Sequence, residues 1–432
     1  MFVMRAMRSL LCFLLPLALV ACKRAPEPTA DAAPKTAVTL LHYFTSSVGD
    51  NLQQLTNNFN AKNPSYELKP LLLQRTSFKS AVQNSFKVGH PSDLYSSWAG
   101  QPTASLVGDL APIDELWQNA KLDERFPPEL VQAASVYQGH KYLIPLTRYD
   151  VVFIYNKKLF DAQKLTPPRT WTEFLAVCAA FKAKGVTPIS LGAKSEWPTQ
   201  LWFDMLLLRT APLSFREQLM QGRARYDDPR VMAVFARWAS LLDKGYFNPD
   251  AMEQTWYKGA SQMVFRGDAA MTLMGGWAMD YVDKSEEHWI LGQDYDFFAF
   301  PRIRDDLPMV SSGSVDGLIL PKLADNKAGA QQVLTYLSDW PQQQALIQHT
   351  GALAANLQVP RSAYSETQQH LFDVVNQHSD FVFMFDLATP SEVADMGLDA
   401  FQEFLALPKA YPRILHKLAQ DAASYFQANT PS

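Results

Sequence analysis

From Val38 onward the chain alternates short β-rich apolar runs with segments whose apolar residues recur on one helical face, and this restricts it to layered α/β architectures. Residues 38–43 predict a first strand, and Leu52, Leu55 and Phe59 mark one face of a helix over 49–63, stopped at Asn63-Pro64. Residues 66–73 predict a second strand, 78–88 a second helix ending at Gly89, and Asp93-Leu-Tyr a third short strand. Strands at 151–155 and 188–191 and helices at 171–182 and 231–243, closed by Gly185 and Gly245, continue the pattern. Residues 316–320 then predict a strand, and 329–340 a helix before Pro341. Strands separated by helices pair in parallel, so a parallel sheet is expected. There are more such segments than one sheet needs, and two α/β lobes are the economical reading.

The N-terminus carries a different signal. Arg5 and Arg8 precede an apolar run from Leu10 to Val20, about half the ~20 residues a membrane-crossing helix needs, which predicts a secretory signal over 1–21. Its end, Leu19-Val20-Ala21-Cys22, resembles the lipobox of bacterial lipoproteins, in which cleavage precedes the cysteine and the thiol receives a diacylglycerol; Cys22 is the expected lipidation site. Cys12, inside the apolar run, leaves with the signal. Residues 22–37 hold three prolines and no large apolar side chain, the composition of a tether. An extracytoplasmic or periplasmic protein, lipid-anchored to a membrane, is therefore expected. Lys23 leaves open which membrane.

Loss of the signal removes Arg5 and Arg8 and no acid, leaving 37 basic against 43 acidic residues, a formal charge of −6 that gives no reason to expect nucleic acid as a partner. The mature chain keeps Cys178 besides Cys22, so burial and not disulfides must stabilise it. There is no glycine-rich phosphate or dinucleotide loop, and Gly313-Ser-Val-Asp-Gly317 has the glycines of a nucleophile elbow with valine at the nucleophile position. The eight histidines stand singly, without zinc-site spacing. No cofactor and no metal are expected. Paired carboxylates are available in any chain with 43 acids, so a carbohydrate-active enzyme stands as the alternative, together with the same fold binding a non-sugar solute.

Five segments in order carry a more specific likeness: Pro91-Ser-Asp-Leu-Tyr-Ser-Ser-Trp98, Gly139-His-Lys-Tyr-Leu-Ile-Pro-Leu-Thr147, Ile154-Tyr-Asn-Lys-Lys-Leu-Phe160, Pro167-Pro-Arg-Thr-Trp-Thr-Glu-Phe174 and Met274-Gly-Gly-Trp277. Together they resemble the extracellular sugar-binding proteins of ABC importers, the group that includes maltose- and glucose-binding proteins. The resemblance covers essentially the whole mature chain. It implies a two-lobed periplasmic-binding-protein fold of type II, with discontinuous lobes joined by a three-segment hinge. By motif, the crossings fall near 145–150, 301–313 and 351–357. The lobes are then 38–148 with 311–350, and 149–310 with 351–432. It also implies a monomer without catalysis that captures a mono- or disaccharide and hands it to the importer's membrane subunits.

A sugar presents a face of C–H groups that packs on an aromatic ring and a rim of hydroxyls that a carboxylate binds. Candidates are therefore tryptophans and acids in loops after strand ends, where α/β sheets bind ligands. Trp277, after the pair Gly275-Gly276, resembles the family's stacking position; Trp98 and Trp197 also follow strand ends, and Trp202 and Trp256 are further candidates, the alternative for both being packing residues. Trp171 and Trp238 are expected in the core. Asp316 occupies the place where glucose-binding relatives carry a ligand aspartate just before a strand, the alternative being a turn aspartate. Asp386 lies in a stretch resembling the Asp-x-x-Thr-x-Pro segment of sugar-binding relatives. Arg148 and Asp150 either contact the sugar or lock the hinge with a salt bridge, and Thr45 and Ser46 offer hydroxyls. Gly276 and Thr350 depart from the glucose-binding pattern and leave the identity of the sugar open.

Overall fold

The computed structural model describes residues 34–279, 289–375 and 380–429. The leader and Cys22 lie outside the described residues. Twelve strands are defined among the described residues: β1 (Thr36–His42), β2 (Tyr66–Leu72), β3 (Leu94–Trp98), β4 (Val136–Tyr137), β5 (His140–Lys141), β6 (Leu143–Asn156), β7 (Thr187–Ser190), β8 (Ala269–Gly275), β9 (Tyr295–Phe298), β10 (Val310–Ile319), β11 (Leu353–Ala354) and β12 (Asp380–Phe383). The expected tether ends slightly early, because Thr36 and Ala37 already pair with Tyr66 and Glu67.

The main sheet runs β2-β1-β3-β10-β6-β8-β7, with β11 and β9 also on β6 and β12 on β10. It is mixed and not parallel throughout. β1 pairs in parallel with β2 and β3, and β7 with β8, but β10 runs antiparallel to β3 and β6, and β6 antiparallel to β8. The antiparallel members are the strands that return from the far half of the chain, which strand–helix alternation along the sequence does not register.

β6 organises the molecule. Its 14 residues are buried except for the partly exposed Arg148, as expected for an apolar run covered on both faces. Residues 143–150 of β6 pair with β10, and residues 151–156 pair with β8 and β9. Pro145 donates no ladder bond and sits opposite Gly317 where the register shifts, an irregularity that accommodates it. β10 lies so close that a Cβ at Gly313 would stand 1.9 Å from the Tyr149 carbonyl oxygen. The first core draws on residues between Val38 and Leu146 with others from Val315 to Ala355, and the second on residues between Val151 and Val310 with others from Leu353 to Ala422. At roughly 1.5–3 kcal/mol for each fully buried large apolar side chain, either core is substantial.

Three local expectations are corrected. The last predicted helix ends at Ser338, and Trp340-Pro341 opens a further helix, Trp340–Leu346, because proline is tolerated in a first turn. Trp98 is the last residue of β3 and does not follow it. The strand expected over 316–320 begins six residues earlier, at Val310, so Asp316 lies inside β10, between Trp98 on β3 and Thr147 on β6, and is not a turn residue.

The buried Arg209 is a supporting residue the sequence did not announce. Its Nη1 donates to the Val310 carbonyl at 2.9 Å and its Nε to that of Phe300 at 3.3 Å, tying together both ends of the segment leading into β10. Burial, then the Arg302 charge, lowers its pKa to about 10.

Candidate ligand-binding cavity

A cavity of about 690 Å³ is lined by residues of both cores. Its first wall grows from the ends of β1 and β3. Tyr43, just past β1, stacks on Trp98 with ring centroids 3.9 Å apart and planes 7° from parallel, and Phe78 meets both rings edge-on. The Tyr43 hydroxyl donates to Asp316 Oδ1 at 2.9 Å, and Thr147 Oγ1 donates more weakly to Oδ2 at 3.4 Å. Asp316 is thus held as an acceptor on the same wall as a stacked indole. Thr45 and Ser46 complete the wall where the helix Ser46–Lys62 begins. Ser46 has φ +54°, a left-handed conformation costing a non-glycine residue about 1 kcal/mol. Glu196, beside Trp197 on the other wall, shares this feature at φ +63°. Strained backbone at ligand-facing turns is a recurrent property of binding sites.

The second wall is built from Trp197, Trp256, Trp277, Gln200 and Asp386. Trp197 meets Trp256 and Trp277 with centroids 5.8 Å apart and interplanar angles of 73° and 62°, so these indoles touch by their edges. Trp277 stands on the single-turn helix Gly276–Ala278 at the end of β8. Its ring folds over Gly275, where a Cβ would come within 2.1 Å of it. Gly276 abuts Gly351, whose carbonyl oxygen would be 2.3 Å from a Cβ at 276. The two glycines therefore serve close packing and not flexibility, and a side chain at 276 would point at residue 351. The Trp277 Nε1 is buried without a hydrogen-bond partner among the described residues.

The Asp386 turn is held from below. Asp204, fully buried, accepts from Arg216 at 2.7 Å and from the Phe385 amide at 2.6 Å, and Arg216 donates to the Phe383 carbonyl at 2.7 Å. Gln200 Oε1 accepts from the Asp386 amide at 2.8 Å.

Of the predicted site residues, the structure brings Trp277, Trp98, Trp197, Asp316, Asp386, Thr45 and Ser46 to this one cavity, along with Trp256. Trp202 is not among them: it is fully buried, edge-on to Phe153, Phe247 and Phe300, and is a packing residue. Arg148 and Asp150 do not line the cavity either. They form a two-pronged salt bridge at 2.9 and 2.7 Å where β6 passes between the cores, with Asp150 fully buried. Trp238 is fully buried as expected, whereas Trp171 is only partly so and stacks on Phe174. The sequence reading missed Tyr43, Tyr149, Gln200 and Tyr257. Tyr43 sits one residue past a strand end, the position that did point to the tryptophans. Cys178 is buried and its thiol pKa is pushed well up by burial, which fits packing and not reactivity. Among the described residues no group of His, Cys, Asp or Glu is placed to hold a metal ion, and no helix is long and apolar enough to cross a membrane.

Two α/β cores sharing long strands around an aromatic and acidic cavity define a two-lobed solute-binding fold of type II. The bacterial solute receptor AcbH, described for its exclusive preference for β-D-galactopyranose, has the same fold: 23% sequence identity, TM-score 0.82, covering 91% of this chain and all of that one. The sequence carries the assignment further. The model of the bacterial extracellular solute-binding proteins matches residues 45–344, and the chain belongs to that family. An uncharacterized ABC transporter extracellular-binding protein of Pyrococcus horikoshii is 26% identical over 340 residues, 76% of this chain and 74% of that protein. A probable sugar-binding periplasmic protein of Brucella suis is 25% identical over 353 residues, 78% and 79% of the two chains.

Proposed function

We propose that this protein captures a sugar in the cavity and delivers it to the membrane subunits of an ABC importer, with no reaction of its own. The observation that carries the reading is the pairing of indoles with carboxylates on both walls: Trp98 with Asp316, Trp277 and Trp197 with Asp386. Indoles pack against the C–H face of a sugar ring while carboxylates take its hydroxyls. The sugar-binding relatives support the same class of ligand. The lobes are 38–148 with 311–350 and 149–310 with 351–432, and ligand shifts the population toward a form in which both touch it. Cys22 is the lipid anchor, and the protein works as a monomer outside the cytoplasm.

A thermal-shift screen against galactose, glucose, maltose and xylobiose tests the reading, since a ligand at 100 times its Kd stabilises by about 2.7 kcal/mol. At least one sugar is expected to raise Tm and to be recovered intact after long incubation. No shift with any of them contradicts sugar capture, and cleaved maltose or xylobiose contradicts the absence of catalysis. Cys22→Ser is expected to release the protein from membranes with sugar affinity unchanged, and a fatty-acyl label persisting on that variant sinks the anchor.

A further inference from the structure

The chain passes between the cores near residues 148–151, 310–315 and 351–355, and one more segment does the same. β12 pairs in parallel with β10, Asp380 to Phe383 against Val310 to Gly313. Phe381 packs against the first core, Phe383 against both, and Phe385 and Leu387 are buried in the second. Within seven residues, then, alternate side chains leave one core and enter the other. Both ends are fastened. Asp204 and Arg216 hold the main chain at Phe385 and Phe383 from the second core, and Met384 N donates to the Gly313 carbonyl at 2.9 Å.

On the first core the segment rests on Gly100, two residues after Trp98. Gly100 has φ +92°, and a Cβ there would stand 2.3 Å from the Leu387 carbonyl oxygen and 3.1 Å from the Phe383 ring. Only a glycine both adopts that conformation and leaves room for the contact. Arg148 adds a pin: while bridging to Asp150, its guanidinium lies over the Phe381 ring, 4.4 Å from the centroid. The stacked cation joins this segment to β6 where β6 passes between the cores.

We propose that residues 381–387 form a fourth connection between the lobes, and that Gly100, Phe381 and Arg148 are positioning residues that couple the ligand-facing Asp386 to lobe closure. The coupling to ligand rests on the sugar-binding reading; the mechanical role does not. None of the three positioning residues lines the cavity, so their substitution acts on affinity only through the position of the lobes.

The test uses the mature chain with spin labels on cysteines placed at the exposed Val88 and Leu407, in a Cys22→Ser, Cys178→Ala background, and reads the interlobe distance distribution without ligand. Phe381→Ala is expected to broaden or shift that distribution, Phe381→Leu to restore most of it, and Arg148→Met, at a partly exposed side chain, to act in the same direction. Calorimetry with galactose, glucose, maltose and xylobiose is expected to show a Kd change of about 3- to 10-fold for Phe381→Ala, in proportion to the shift in distances. An unchanged distance distribution in both Phe381→Ala and Arg148→Met overturns the connection, whatever happens to stability. Changed distances with an unchanged Kd overturn the coupling to Asp386. A wild-type protein that binds none of the four sugars overturns the sugar reading and the coupling, while the ligand-free distances still decide the fourth connection.

Discussion

The two walls of the cavity use the same residue types and are built differently. The first is a product of side-chain contacts: Tyr43 of the first core lies flat on Trp98, and its hydroxyl fixes Asp316. The second is a product of backbone contacts at the crossings: Trp277 folds over Gly275, its neighbour Gly276 abuts Gly351, and the Asp386 turn is strung between the cores. One face of Trp98 is already covered by Tyr43, whereas the indoles opposite meet by their edges. In the proposed reading, a ring stacking on the second wall presses on segments that lie where the chain passes between the cores. On that reading the first wall is the fixed seat, and the second is proposed as the side on which binding becomes motion.

Breaking the support beneath the second wall is expected to have the largest effect. Asp204→Ala leaves Arg216 buried and unpaired and removes the acceptor from the Phe385 amide. Loss of one partner of such a pair costs about 3–5 kcal/mol, read by denaturant unfolding. A cost below about 1 kcal/mol means that the Asp386 turn is held by other contacts.

The protein is also expected to lose stability in acid. His42, buried at the end of β1, has its pKa lowered by burial to about 4, so the native state stays neutral while the unfolded chain takes a proton near 6.5. Stability from this group is present above pH ~6.5 and is lost as pH falls toward 4, on the order of 3 kcal/mol. His42→Gln is expected to flatten that part of the stability-versus-pH curve, and an unaltered slope contradicts the assignment.

On the binding side, Asp386→Asn keeps shape and weakens a charge-assisted bond, with an expected loss of about 1–3 kcal/mol by calorimetry and little change in unfolding. Asp316→Asn is expected to lower both affinity and stability, because the Tyr43 and Thr147 hydroxyls lose a carboxylate acceptor. Equal behaviour of the two variants erases the difference between the walls.

The smallest effect has the opposite sign to that of His42. His370 Nε2 pairs with Asp296 Oδ1 at 2.7 Å, and that hydrogen bond raises its pKa above the ordinary histidine value against the opposing effect of burial. The stabilisation is complete below pH ~6.5 and disappears as pH rises through the raised value. With 40% of the histidine side chain exposed, solvent screening keeps it well under ~1 kcal/mol. His370→Gln is expected to remove a small loss of stability on the alkaline side.

Much of this arrangement was legible in the sequence. Trp98, Trp197 and Trp277 stand at strand or loop ends, and the order of motifs placed Asp316 and Asp386 with them. What failed did so for traceable reasons. Trp202 could not be decided between cavity and packing because its partners Phe153, Phe247 and Phe300 come from distant parts of the chain. The first half of β10, Val310-Ser-Ser-Gly-Ser, has the composition of a loop. It is a buried strand only because β6 and β12 flank it, and so the strand was expected to start at Asp316, which in fact lies well inside it. The seating of Phe381, Phe383 and Phe385 between two cores has no local signature at all.

The central claim is that Trp277 is the ligand's platform on the moving wall, and Trp277→Ala, compared with Trp277→Phe, tests it most directly. Sugar titration by intrinsic fluorescence and denaturant unfolding without ligand are run on the same variants. A partly exposed cavity residue is expected to lose less packing on truncation than the ~3–5 kcal/mol of a core tryptophan. The account predicts strongly weakened binding for Trp277→Ala, partial affinity for Trp277→Phe and a modest cost in unfolding. If Trp277→Ala binds sugar as the wild type does and unfolds several kcal/mol more easily, Trp277 belongs to the core, and the platform must be sought at Trp98 or Trp197.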